Sequence, residues 1–289
     1  SNRDVASPFL TSIQENAVRP IEPVFLDFKK DMSQLTAKSD IPVLYKQNTT
    51  NDLFQLIYVF DMGNNNDKAL GTAFDYLEYL GTSDMTPEEL KSEFYRLACT
   101  FYVSPGNERT YVVLSGLNEN MPAAMQLFEK LLADAQVNKE AYNNLVGDIL
   151  KARADAKLNQ GQNFSRLMNY AMYGPKSPAT NLLTEAELAS MNPQKLVDRI
   201  HNQNNYKHRI LYYGPSSSKD LLATIDQYHQ VPATLKDIPA GNEFSYLETP
   251  ATKVLVAPYE AKQIYMAQIS NLDKKYDPAI EPTRELYNE

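Results

Sequence analysis

The sequence predicts an α+β fold, an antiparallel sheet with helices packed on one face. Three observations carry this. Leu53 to Phe60 is a mostly apolar, β-rich run, the pattern of a central strand covered on both sides. Thr100 to Val103 and Thr110 to Ser115 flank a Pro105-Gly106-Asn107 turn and read as a hairpin. The amphipathic stretches that follow are grouped together and do not alternate one by one with strands.

Taken in order, residues 1 to 21 are polar, contain Pro8 and Pro20 and lack periodicity, and so read as a leader or linker. Val24 to Phe28 and Ile41 to Tyr45 are short β-rich runs. Gly63 to Asp67 is a turn leading into a helix over Ala69 to Thr82, in which Leu70, Ala73, Phe74, Leu77 and Leu80 share one face. Gly81 is placed to end it. Thr86-Pro87-Glu88-Glu89 combines an N-cap, a proline at N1 and a glutamate at N3, and starts a second helix running to about Ala98.

Asn120 begins a helix through Ala135, and Asn138 caps a long one reaching about Leu158. Helical runs follow at Phe164 to Tyr173, at Leu182 to Ser190 with a Thr184/Glu187 capping box, and at Pro193 to Asn202. His208 to Tyr213 is a strand, and Ser217 or Ser218 caps a helix to about Tyr228. Residues 22 to 230 therefore read as one α+β domain. Residues 231 to 252, with Pro232, Pro239, Gly241 and Pro250, read as a linker. Lys253 to Ala257 and Gln263 to Ser270 are two further β runs, and Asp277-Pro278 opens a helix reaching Glu289, so residues 253 to 289 read as the start of another domain.

The chain has 289 residues, a net charge of −8 and one cysteine, Cys99. The length supports a sizeable core, and the acidity argues against nucleic acid or an anionic membrane as partner. A lone cysteine excludes an intrachain disulfide and leaves the compartment open. No apolar run is long enough to span a bilayer. Glycine patterns for phosphate or dinucleotide binding are absent. Ser216-Ser217-Ser218 lacks the glycine elbow of a serine nucleophile, so capping explains it better. Nineteen tyrosines without a tryptophan suit a sugar- or peptide-binding surface, or more simply a tyrosine-rich core and sheet face.

One helix carries a resemblance. Ala69 to Thr82 resembles the active-site helix of the pitrilysin/insulysin family, the inverzincin metallopeptidases, whose His-x-x-Glu-His is followed by Gly-Thr. Laid on that pattern, Asp75 takes the first histidine, Glu78 the catalytic glutamate and Tyr79 the second histidine. Val146-Gly147-Asp148 best matches the region of the third zinc ligand, with Asp148 the nearest carboxylate. The family's site needs two imidazoles one helical turn apart and a later glutamate. The three histidines here, His201, His208 and His229, are all elsewhere, and the pair His201 and His208 reads as surface side chains. Asp75, Glu78, Tyr79 and Asp148 are thus vestigial motif positions, with no catalytic, cofactor or metal role expected. The three carboxylates suit either a calcium or magnesium site or, the simpler account, a degenerate polar face with Tyr79 bonded to a carboxylate. Three side-chain oxygens without a ligating loop are few for either ion.

The resemblance implies a half-clamshell domain, the non-catalytic third domain of a zinc metalloendopeptidase. Zinc would be held in an N-terminal catalytic half of the same parent, the chain's partner together with the peptide substrate. This half would close the chamber and help bind an extended peptide. Groups that polarise the substrate would come from a fourth domain. The alternative is a catalytically dead relative acting as a binding or assembly protein; a chance match of one helix on an unrelated α+β domain is the remaining reading. The resemblance also implies an exported, periplasmic bacterial protein.

Overall fold

A computed structural model describes residues 7–15, 23, 25–260, 263–271, 277–281 and 283. Residues 1–33 and 34–289 form two compact units. In the first, α1 (Pro8–Gln14) occupies a stretch expected to be linker. Its start is local: Ser7 caps it and Pro8 sits in the first turn, a combination stronger than the missing periodicity. Residues 25–28 are not a strand, and Val24 lies outside the described residues.

The strands are β1 (Ser33–Ala37), β2 (Ile41–Gln47), β3 (Leu53–Phe60), β4 (Cys99–Pro105), β5 (Thr110–Leu117) and β6 (Arg209–Gly214). The helices of the second unit are α2 (Leu70–Leu77), α3 (Pro87–Arg96), α4 (Met121–Asp134), α5 (Lys139–Lys157), α6 (Gln160–Tyr173), α7 (Glu185–Ser190), α8 (Gln194–Asn202) and α9 (Ser218–Tyr228). The sheet order is β1-β2-β6-β3-β5-β4, so β3 is interior and β4 is an edge. The pairs β3/β5, β3/β6 and β4/β5 are antiparallel, as expected. The pair β2/β6 is parallel, which corrects the wholly antiparallel sheet. The long helical excursion before β6 lets it return in the direction of β2, and a parallel pairing needs such a crossover.

Register decides what each sheet face shows. Leu56 of β3 stands opposite Leu114 and Tyr212, and Tyr58 opposite Val112 and Ile210; all six are buried. On α4, Met121, Met125, Phe128 and Leu132 are buried, and this helix meets β4, β5, α8 and α9. It thus joins the sheet to an outer layer that includes Val197 and Ile200 of α8 and Ile225 of α9. Tyr102, Tyr111 and Tyr213, on the other sheet face, are exposed, while Tyr45 and Tyr212 stack at 5.8 Å in the core. Tyrosine here serves both core and sheet surface, the plainer of its two expected uses.

Local signals set most helix starts. Thr86 and Thr184 each form a full capping box, and Asn138 and Ser217 each accept from a backbone N–H in the first turn. Asn120 precedes α4 but gives its side chain to the Leu97 carbonyl. Helix α2 ends at Leu77, four residues before the expected glycine stop. Tyr79 and Leu80 donate to Tyr76 and Leu77 carbonyls three residues back, a tightening that closes the helix early. Gly81 is needed for close approach: a β-carbon there would sit 2.3 Å from the Met85 carbonyl oxygen.

The β-rich runs 253–257 and 263–270 form no strands. Val254, Val256, Ile264 and Met266 are exposed, with no neighbouring strand among the described residues to complete a ladder. Most of the helix expected from Asp277 to Glu289 lies outside the described residues. No described helix is long and apolar enough to cross a membrane.

One corner of the sheet is under backbone constraint. Ala98, exposed just after α3, has φ 49°, and Gly116 on β5 has φ 149° with the Ala98 carbonyl pressed against it. In denaturant unfolding, Gly116→Ala should lower stability by about 1–3 kcal/mol and Ala98→Gly should raise it by about 0.5–1 kcal/mol. Equal effects of the two changes would contradict this backbone account.

Candidate functional site

Asp75 lies on α2, Glu78 is its C-cap residue and Tyr79 follows it; all three are exposed. Asp148 is exposed on α5. Although Asp75 reaches the surface, its carboxyl is pushed above the usual range, first by loss of surrounding water and then by the charge of Glu78. Tyr79 hydroxyl makes no hydrogen bond to a carboxylate among the described residues, contrary to the expected pairing. Among those residues, no group of three His, Cys, Asp or Glu side chains is placed to hold a metal ion, so Asp75, Glu78 and Asp148 are not brought together as a cation site. Zinc does not fit this donor set either, because Asp75, Glu78, Tyr79 and Asp148 include no imidazole or thiolate.

What fixes this face is Tyr76, buried between the motif positions. Its hydroxyl receives the Asn138 backbone N–H at 2.9 Å and donates to the Asn138 carbonyl at 2.6 Å. Its ring meets Tyr142 edge-on at 5.8 Å. Helix α2 is thereby tied to the first turn of α5, the helix that carries Asp148.

Beside the motif runs a groove of about 420 Å³, lined by Phe74, Leu77 and Glu78 on one side, Lys91, Phe94 and Tyr95 from α3, and the edge strand β4 from Cys99 to Val103. It is mainly apolar, with one acid and one lysine at its walls. The outer edge of β4 has no strand beside it in the sheet.

A second polar centre lies inside the core, where the sequence reading placed none. Glu129 of α4 is 1% exposed. It receives Tyr58 hydroxyl at 3.0 Å, Asn204 amide at 2.9 Å and Gln230 backbone N–H at 3.1 Å. His229 Nδ1 is 2.6 Å from the same carboxylate. Four donors suit an ionised carboxylate. His208 Nδ1 lies 2.7 Å from the Tyr206 carbonyl, and its Nε2 faces His229 Nε2 at 2.8 Å. A carbonyl only accepts, so His208 donates from Nδ1 and accepts at Nε2. His229 then donates from Nε2 to His208 and turns Nδ1 to Glu129.

His208 is therefore a buried side chain, not a surface one, because the chain entering β6 turns it under Phe60 and Tyr58. His201 is half-buried and contacts the Ala135 carbonyl at 3.1 Å. Burial, and then the facing His229, pull His208 down to about 4. Burial, and then the Glu129 charge, push the Tyr58 phenol well above its ordinary range. The sequence held one signal for this centre: Glu129 occupies the apolar stripe of α4, four residues after Met125 and three before Leu132.

Comparison with known proteins places the fold. No family profile matches the chain, and no curated protein matches it by sequence. Solved structures do match. The periplasmic protease PqqL from Escherichia coli aligns at TM-score 0.67 and 15% identity, over 86% of this chain and 31% of that one. The ferredoxin protease FusC, solved in complex with Arabidopsis ferredoxin, aligns at 0.64 and 11%, over 81% and 27%. The peptidase M16 inactive domain from Pseudomonas fluorescens aligns at 0.62 and 16%, over 74% and 54%. The chain has the α+β fold of an M16 peptidase domain, as the motif helix led us to expect, and spans from under a third to about half of these chains.

The buried histidine gives a pH dependence of known sign. His208 is held near 4 in the folded state, against about 6.5 unfolded, so the unfolded chain takes its proton first. This contribution is complete above pH 6.5 and is lost as pH falls towards 4, to a depth of about 3 kcal/mol. Urea unfolding from pH 7 to 4.5 should show that slope, and His208→Gln should flatten it. Parallel slopes for the two proteins would contradict the assignment.

Proposed function

We propose that this chain is the non-catalytic half of a longer zinc metalloendopeptidase of the M16 type, which closes a peptide chamber and helps hold an extended substrate. The groove beside β4 is the observation that best supports this reading. An unpaired strand edge can add a peptide through main-chain hydrogen bonds, which is strong but little selective for sequence. The apolar floor made by Phe74, Leu77 and Phe94 would take one peptide side chain, with Glu78 and Lys91 at its sides.

In this reading the vestigial positions Asp75, Glu78, Tyr79 and Asp148 do no chemistry. Zinc and the bond-breaking groups belong to an N-terminal catalytic half of the same parent, the partner of this one. The periplasmic setting of PqqL supports an exported bacterial protein. The loss of both imidazole positions also suits the alternative of a wholly inactive relative used for binding or assembly, in which the same groove would hold a peptide without cleavage.

The double change Tyr95→Ala and Tyr102→Ala tests the groove, because both side chains line it and are 88% and 51% exposed. Affinity for an unstructured peptide, measured by titration calorimetry, should fall about tenfold or more while the unfolding midpoint holds. Unchanged affinity, or no binding by the unaltered chain, would count against peptide capture at β4.

A further inference from the structure

Two buried histidines and one buried glutamate form a chain with no spare hydrogen-bonding capacity. Three contacts run along it. His208 Nδ1 meets the Tyr206 carbonyl at 2.7 Å, His208 Nε2 meets His229 Nε2 at 2.8 Å, and His229 Nδ1 meets Glu129 Oε1 at 2.6 Å. Each contact holds one proton, whichever atom carries it. The carboxylate has no room for another, because its two oxygens also receive Tyr58 hydroxyl, Asn204 amide and Gln230 N–H. Three protons therefore complete the chain, and a fourth sets two hydrogens against each other in one contact.

The groups packed round the chain offer that fourth proton no other place. From β3, the Tyr58 ring lies 4.3 Å from His229 and the Phe60 ring 4.6 Å from His208. Burial, and then the Glu129 charge, keep the Tyr58 phenol protonated. On α8, His201 turns Nε2 to the Ala135 carbonyl. On α9, Asp226 is engaged by Lys38. Lys207 and Arg209, beside His208 in the chain, pair with Asp237 and Asp61 at the surface.

His208 is the fixed end of the critical contact. It stands at the entrance of the interior strand β6, with Nδ1 tied to backbone two residues earlier. His229 is the movable end. It closes α9, and residues 230–238 beyond it have no helix or strand, only the single bridge of Lys236 to Tyr206. This segment is fastened at both ends to the same network. Gln230 N–H donates to Glu129 at 3.1 Å. Lys236 N–H donates to the Asn205 carbonyl at 2.7 Å, and Lys207 N–H donates to the Lys236 carbonyl at 2.9 Å, on either side of the Tyr206 that holds His208. Between them, Ser39 hydroxyl donates to the Pro232 carbonyl at 2.7 Å. His229, Gln230 and Val231 also wall a cavity of about 450 Å³ shared with α4 and α8.

We propose that the Glu129–His229–His208 chain is an acid-released latch: a fourth proton parts His229 from His208 and frees residues 229–238 from α4, while the sheet keeps its pairing. Withdrawal of His229 and Gln230 opens the cavity they wall and leaves Glu129 with Tyr58 and Asn204. The latch closes above pH 6.5, where His208 is neutral in either form. Closed, His208 is held near 4; released, it returns to about 6.5, so falling pH favours the open form by up to about 300-fold. The device lies apart from the β4 groove and does not rest on the peptidase reading.

Hydrogen exchange read by mass spectrometry on the whole chain tests it, at pH 7 and 4.5, with rates corrected for their intrinsic pH dependence. Protection of residues 229–238 should fall about tenfold or more at the lower pH, while β3 and β5 keep theirs. His208→Gln cannot take the extra proton and should hold the segment protected at both pH values. His201→Gln alters a half-buried neighbour on the same cavity and should leave the release intact. A second reading needs no variant: the ring signals of the chain's three histidines, followed by NMR. His208 should gain its proton over the pH range in which the segment loses protection. Equal protection at the two pH values, loss shared by β3 and β5, a His208 ring that stays neutral while the segment opens, or release abolished by His201→Gln would overturn the proposal.

Discussion

The structure turns on one buried carboxylate. Glu129 stands in the core face of α4, and its charge must be satisfied without water. Its donors come from β3 (Tyr58), from the turn after α8 (Asn204) and from the chain leaving α9 (His229 and Gln230). His208 extends the network to the entrance of β6. A carboxylate with this many fixed donors locks rotation and sliding of α4, since any shift strands a buried charge. Because α4 also joins the sheet to α8, which packs on α2, the network indirectly sets where the motif helix and its groove lie.

The legible parts of this fold are those whose information is local. Thr86, Pro87 and Glu89 specify the start of α3 within four residues, and the alternating burial of β2 and the apolar run of β3 are visible without a partner. The Glu129 network is not local: Tyr58 and His229 reach it across 71 and 100 residues of chain. A histidine in a polar-looking segment gives no sign of that. The parallel return of β6 onto β2 is long-range in the same way, and the short strand β1 lacks the hydrophobic run that would announce it. For the candidate site, the spacing on α2 placed Asp75 and Glu78 correctly on an exposed face. It did not reveal Tyr76, whose partners are backbone groups at the far end of α4's connection to α5.

Helix α2 is held in place by packing. Its apolar face, its entry turn and its lock to α5 are intact, all of them packing features. Asp75, Glu78 and Tyr79 are exposed and answer to no packing demand. Fold and function separate here: the fold is that of M16 peptidase domains, and the fold by itself does not assign the role.

The most direct measurement is zinc content together with cleavage of an unstructured peptide, made side by side on this chain and on the longer parent proposed for it. The account predicts a metal-free, inert chain and a parent holding about one zinc per molecule that cuts the peptide. Stoichiometric zinc in this chain alone would contradict it. A parent that is also metal-free and inert would move the whole protein to the binding or assembly class.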